Sequence, residues 1–367
     1  MPQPGGLSGH SVQNMKKRHI VLLVSSAALV ASCVAAASPE SGGQRTHMVH
    51  PGESIQKAVD AAKSGDTVLV LPGTYHQSVK VTTPGLILRG MGNATVLKPA
   101  PKATDDCGKR GNGICVSGTK TKLLKGVTVS DLKVTGFSRA GVLAVGTDGL
   151  TVRRVTAEKN AVWGLAEERS QHSAYRENAI RNSGDAGIFL ANTITAEQGA
   201  TDTRGTLITG NRLENNRIGV TVRRLRNLTV TSNDITGNCA GVFVVGDENK
   251  PKAGALTVRG NRVVKNNKYC AKTERLPFLQ GSGIVLTGVE KTDVTSNVVT
   301  GNSGTSPLSG GIVLFKSFVG ATNDNNRIRD NSLRDNSPAD LIDQETAKRG
   351  NAFAHNFCRA SKPTGLC

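Results

Sequence analysis

The sequence predicts an all-β solenoid: a stack of coils whose short strands pair in parallel with the coils above and below. Three observations predict it. Asparagine-based segments recur as GNRLENNRIGVTV (210–222), SNDITGNCAGVFV (232–244), GNRVVKNN (260–267), SNVVTGNSG (296–304) and DNSLRDN (330–336). Each carries an Asn, an aliphatic residue two positions on, and a second Asn five positions after the first. A glycine followed by aliphatic residues restarts the unit at Gly141, Gly164, Gly187, Gly219, Gly241, Gly283 and Gly311, at gaps of 23, 23, 32, 22, 42 and 28 residues. Composition agrees: 42 of 367 residues are glycine and only 12 (Trp 1, Tyr 3, Phe 8) are aromatic, which favours tight turns around a core of Val, Ile, Leu and Ala. A basic period near 22 is too short for a helix pair and suits three strands and three turns. Stacked coils lie about 4.8 Å apart, close enough for equivalent asparagines to form hydrogen-bonded ladders. Charged residues at 20% and hydrophobic ones at 37% exclude a wholly disordered chain and a polytopic membrane protein.

Taken in order, the chain opens on an export signal. Met15-Lys16-Lys17-Arg18 precedes an apolar run, Ile20–Val30, that is too short to span a bilayer. The stretch before Met15 lacks this pattern, so Met1 and Met15 are both candidate starts. Val30-Ala31-Ser32-Cys33 follows and resembles the bacterial lipobox, whose cysteine is lipidated. This resemblance implies an exported protein held at the extracellular face of the cell membrane through Cys33. Cleavage after Ala37, in VAAAS, is the alternative and makes the product secreted. Residues 1–37 are thus read as signal and linker, and 48–367 as a single solenoid domain.

Six further cysteines, Cys107, Cys115, Cys239, Cys270, Cys358 and Cys367, form an even set. In an exported chain that reads as disulfides, and the absence of C-x-x-C spacing speaks against zinc. Fifteen connectivities are possible. The coil register adds that Cys239, two residues before Gly241, and Cys270, in the loop before Gly283, occupy the same turn of neighbouring coils. The framework expected is Cys239–Cys270 with the local pairs Cys107–Cys115 and Cys358–Cys367.

After the signal comes PGESIQKAVDAAKSGDTVLVLPGTYHQSV (51–79), where Ile55, Ala58, Val59 and Ala62 share one face at helical spacing and Gly65 marks a stop. With the Asn repeats, this segment resembles the opening of the right-handed parallel β-helix (pectate-lyase-like) superfamily, in its short Asn-rich branch shared with the nitrous-oxide-reductase maturation family. The resemblance covers about residues 48 to 367 and includes the closing NAFAHNFCRASKPTGLC (351–367). It implies a right-handed solenoid with an N-terminal capping helix over the open strand edges.

The resemblance also implies lyase, hydrolase and epimerase activities. The dense Asp cluster of calcium-dependent lyases, the N-T-D and G-H-G of polygalacturonases and the Asp-Pro-His-Asp of epimerases are all missing. Asp185, in NSGDAGIFL (182–190), is the nearest candidate acid; a turn residue is the plainer reading. One and two coils earlier its equivalents are Val162 and Arg139, the latter about 9.6 Å away and out of direct reach. His172 lies in the polar EERSQHSAYRE (167–177), read as a solvated face or an acid–base set. Past Cys33 the only methionines are Met48 and Met91, so copper handling is not expected; neither a metal nor a cofactor is called for.

Net charge is +18, and without Lys16, Lys17 and Arg18 the chain keeps 43 basic against 28 acidic residues, or +15. Such a surface attracts acidic polysaccharides, teichoic acids or anionic lipids, and no nucleic-acid motif accompanies it. Arg153 and Arg176, 23 residues apart, should stack on adjacent coils, and Arg223, Arg224 and Arg226 follow a Gly-initiated strand. Rows of this kind suit carboxylate or phosphate groups along a linear polymer. Excess residues collect at two turns, in 191–204 and 246–254 and in 268–280 and 303–309, where loops could wall a cleft. Few aromatics argue against sugar stacking. The favoured function is therefore an envelope protein that binds an acidic polysaccharide or other linear polyanion; an enzyme acting on an acidic glycan is the alternative.

Overall fold

The computed structural model describes residues 43–367 apart from Lys120, Ala347 and Lys348. Three long parallel sheets form the sides of a solenoid, visited in the same order in every complete coil. One coil shows the pattern: Thr151–Arg153 in sheet 1, Thr156–Glu158 in sheet 2 and Trp163–Glu168 in sheet 3. Its strands pair with residues 174–176, 179–181 and 186–191 of the next coil. The chain is thus a right-handed parallel β-helix: the repeats predict its parallel coils and the resemblance implies its hand.

Strand length explains the core. The short strands of sheets 1 and 2 turn their central residue inward, and the ends of the longer strands Thr201–Thr209 and Leu225–Thr231 do the same, so Val129, Val152, Tyr175, Ile208 and Val230 stack in one buried column. Between Ala140 and Leu314 sheet 3 uses five- and six-residue strands and contributes two inward columns. At about 25 cal/mol per Å² this continuous apolar interior is the main stabilising term.

The asparagines form two internal ladders. Asn178, Asn211, Asn233, Asn261, Asn297, Asn331 and Asn356 make the first, each side-chain oxygen accepting both the backbone N–H and the amide N–H of its predecessor. Asn216, Asn238, Asn266, Asn302 and Asn336 make the second, which ends on the acceptor Asp340. They satisfy backbone donors buried where the chain turns a corner. The same corner explains the glycine that follows. A Cβ on Gly187 would lie 2.8 Å from the Gly219 carbonyl oxygen and 3.0 Å from the Asn216 amide nitrogen, so Asn and Gly recur together.

Helix α1 (Ile55–Ala61) is capped by Ser54, whose hydroxyl accepts the Lys57 N–H at 3.2 Å, and it buries Ile55 and Val59. It stops earlier than the apolar face suggests, because Ala62 is already extended, and Gly65 instead turns the chain towards the strand Thr67–Val70 with φ +86°. At the other end, Ser361–Lys362 pairs with the strand Leu341–Asp343. Disulfides join Cys107 to Cys115, Cys239 to Cys270 and Cys358 to Cys367, with Cα separations of 5.9, 6.0 and 5.4 Å. Cys33 lies outside the described residues.

Candidate functional site

The outward side chains of sheet 3 form a second apolar cluster, separate from the coil interior, that includes Leu143, Phe189, Phe243, Val285 and Val313. Loops rise on both sides of it. Residues 192–199 and 246–252 follow sheet-3 strands, 268–280 precedes one, and 315–319 adds a wall that the sequence reading did not anticipate. Cys239–Cys270 and the bond from Arg217 Nη1 to the Ala271 carbonyl (2.7 Å) tie the 268–280 loop to the sheet. Between the walls lies a cleft of about 670 Å³.

Five of the twelve aromatic residues line this one cleft: Trp163, Phe189, Phe243, Phe315 and Phe318. Scarcity of aromatics therefore does not argue against sugar stacking, since those present are concentrated. Trp163 and Phe189 stack at 4.9 Å, and Phe318 at the lip is 67% exposed. Phe189 and Phe243 lie two coils apart, about 9.6 Å, with Thr221 between them in register. The Thr221 hydroxyl between them is buried and has no protein partner.

Asp185 faces the cleft and accepts the Trp163 indole N–H at 2.9 Å. Arg139 lies 5.3 Å from the centre of the same ring, so Trp163 bridges the two residues that coil spacing keeps apart. Arg223 enters from the 192–199 side, donating to the carbonyls of Thr193 (3.3 Å) and Ile194 (3.2 Å), while its Nε has no partner. Burial above all, with Arg224 and Arg275 nearby, pulls its guanidinium below the ordinary value; the group stays charged at neutral pH.

The other basic residues of this segment are not a free row. Arg224 sits in a left-handed turn (φ 55°), is 6% exposed, and is ion-paired to Asp247 and, at 2.8 Å, to Glu197. Arg226 pairs with Glu290 at 2.8 Å. Both brace the loops. Carboxylates outnumber guanidinium groups in the cleft lining, so it is an aromatic cleft of mixed charge rather than a basic groove. Arg153 and Arg176 pair in register, as their spacing predicted, but on sheet 1.

His172 also lies away from the cleft, in a left-handed turn with Nδ1 2.7 Å from Asp148. The polar coil around it is not a solvated face throughout. Glu167 points into the solenoid, 2% exposed, and accepts the Tyr175 hydroxyl at 2.8 Å. Burial raises its carboxyl above the usual range and lifts the Tyr175 phenol as well. Among the described residues no three His, Cys, Asp or Glu side chains gather as metal ligands do.

No curated protein matches the chain. Solved structures do. The A-module of the Azotobacter vinelandii mannuronan C-5 epimerase AlgE4 aligns over 82% of this chain and 89% of its own at 16% identity (TM-score 0.52). The alginate lyase from Paenibacillus sp. str. FPU-7 aligns over 82% and 98% at 15% (TM-score 0.52). DFA-IIIase from Arthrobacter chlorophenolicus A6 aligns over 82% and 79% at 13% (TM-score 0.58). At such identities the likeness concerns the fold. The family described as "Right handed beta helix region" matches residues 85–253 and 191–357, and with the parallel coils seen above, the chain belongs to the right-handed β-helix family.

Proposed function

We propose that the protein binds a linear acidic polysaccharide in the sheet-3 cleft. The observation that carries this is the gathering of the only tryptophan and four of the eight phenylalanines beside Arg223, within one loop-walled cleft. Aromatic faces take the apolar faces of sugar rings, and Arg223 selects a carboxylate-bearing unit. With acidic side chains also present, affinity comes from the aromatic floor and selectivity from Arg223. Support by analogy comes from neighbours of the same fold that carry the names mannuronan epimerase and alginate lyase.

Catalysis on the same glycan is the second reading, and Asp185 favours it as a carboxylate held on the cleft floor beside Trp163. Titration calorimetry with polyuronates and neutral glycans, run alongside absorbance at the unsaturated uronide band, separates the possibilities. Uronate-selective binding lost in Arg223→Gln supports the cleft reading, and a growing absorbance that stops in Asp185→Asn adds catalysis by elimination. Equal binding of neutral glycans and uronates, or none of either, refutes the proposal. We place the protein at the extracellular face of the membrane, anchored through Cys33, on the strength of the VASC pattern after the apolar run.

A further inference from the structure

Sheet 1 carries a feature that the cleft does not use. One position per coil forms a row along the solenoid: Arg89, Ser130, Arg153, Arg176, Thr209, Thr231, Arg259, Thr295 and Arg329, of which Ser130 and Thr295 are buried and the rest reach the surface. Nine coils at about 4.8 Å make a line of roughly 38 Å. Every residue in it is arginine, serine or threonine; there is neither a lysine nor a carboxylate. The adjacent outward row adds the hydroxyls of Thr128, Thr151, Thr229 and Thr257, and beyond Thr257 it carries the ion pair of Asp293 with Arg327.

Elsewhere the chain alternates charge from coil to coil. On sheet 2, Glu158 is held between Lys133 and Arg181, and Asp234 pairs with Arg262 at 2.7 Å. At the corner beside sheet 1, Asp131 pairs with Arg154 at 2.6 Å. On the sheet-1 row, by contrast, Arg153 lies directly across from Arg176, and neither these nor Arg259 takes part in an ion pair among the described residues. Like charges facing each other across strands are destabilising. Glu290 and Asp324 also face each other, but each of those carboxylates is paired with a base, Arg226 and Lys252. The face is also open: two residues connect sheet 1 to sheet 2 in each of the seven coils from Arg153 to Arg329, and no loop rises there.

We propose that this face is a second binding surface, for a linear phosphodiester polymer lying along the solenoid axis. It recognises anionic groups rather than sugar rings, because neither outward row holds an aromatic side chain. A guanidinium engages two oxygens at once. The lone pairs a carboxylate has left lie in the plane of that contact, whereas a tetrahedral phosphodiester keeps acceptor positions out of that plane, towards the threonine hydroxyls on either side. The surface and the cleft lie on different sheets and act independently.

The test is titration of poly(glycerol phosphate), with poly-glutamate and phosphatidylglycerol vesicles as competing probes, at low and near-physiological salt. Wild type should prefer the soluble phosphodiester. Arg153→Gln/Arg176→Gln should weaken it roughly tenfold at low salt and reduce the salt slope by about one to two. Trp163→Leu should leave this binding unchanged. Arg176→Glu, which restores the sign alternation seen on sheet 2, should raise the low-salt melting temperature while abolishing binding. Unchanged affinity in the double glutamine variant, or a preference for poly-glutamate or vesicles, overturns the proposal.

Discussion

Replacing Asn238 with alanine removes one rung from the middle of the second ladder, and the structure sets the size of the effect. Asn238 is fully buried. Its side-chain oxygen accepts the Asn216 backbone N–H at 2.8 Å and the Asn216 amide N–H at 3.1 Å. Its own amide donates to Leu213 O, Thr236 O and Asn266 Oδ1. Alanine leaves two donors of Asn216 buried without acceptors, and each such orphan costs about 1–3 kcal/mol, so the expected loss is about 2–6 kcal/mol. Asn356→Ala at the last rung gives the internal comparison, since that residue is slightly more exposed and no further asparagine follows it. Urea unfolding followed by circular dichroism should show a much lower midpoint than wild type for Asn238→Ala and a somewhat smaller loss for Asn356→Ala, which strips the same two donors of Asn331 of their acceptor. A loss below about 1 kcal/mol at Asn238 would show that water or relaxed backbone replaces the rung, refuting the claim that the ladders satisfy otherwise orphaned donors.

Other perturbations probe the rest of the account. Burial raises the Glu167 carboxyl above its unfolded value, so folding takes up a proton. The associated stability is complete below the unfolded value near pH 4.3 and is lost as pH rises towards the raised folded value, at up to about 1.4 kcal/mol per pH unit. Glu167→Gln should therefore gain on wild type from acidic to neutral pH in thermal melts, and a pH-independent difference would count against the neutral carboxyl. Cys239→Ser with Cys270→Ser should release the 268–280 wall and weaken glycan binding several-fold, while far-ultraviolet dichroism keeps its β signal; intact affinity would mean the loop is held without the disulfide. Cys33→Ala should move the protein from the membrane fraction to the medium, and unchanged fractionation would refute the anchor.

The coil architecture was legible because its constraints are local and repeated. A buried corner needs an Asn side chain for its backbone donors, and the glycine beside it has no room for a Cβ. Both therefore recur at one register, and that register also matched Cys239 with Cys270. The cleft was harder to see. In AGIFLA, at the strand Ala186–Ala191, every residue is apolar, so alternation cannot separate inward Ile188 from outward Phe189. The outward position becomes a cleft floor only because loops from distant coils cover it. Glu167 was misread for the opposite reason: its neighbours in sequence are polar, but its register partners are Ala144 and Leu190, both in the core. Aligning the Gly-initiated strands column by column would have exposed it. Arg224 faces its partner Asp247 across 23 residues, a contact fixed by the loops rather than by the repeat.

Trp163 is the only tryptophan and lies in the cleft, so tryptophan emission, excited selectively over the three tyrosines, reports this site. Titrating wild type with a short polyuronate while following that emission is the most direct test of the central claim. The account predicts a saturable change in intensity or wavelength, with a shallower and weaker curve in Arg223→Gln and no comparable change with a neutral oligosaccharide. Emission that stays constant while calorimetry shows the polyuronate binding would place the glycan elsewhere on the solenoid and contradict the assignment.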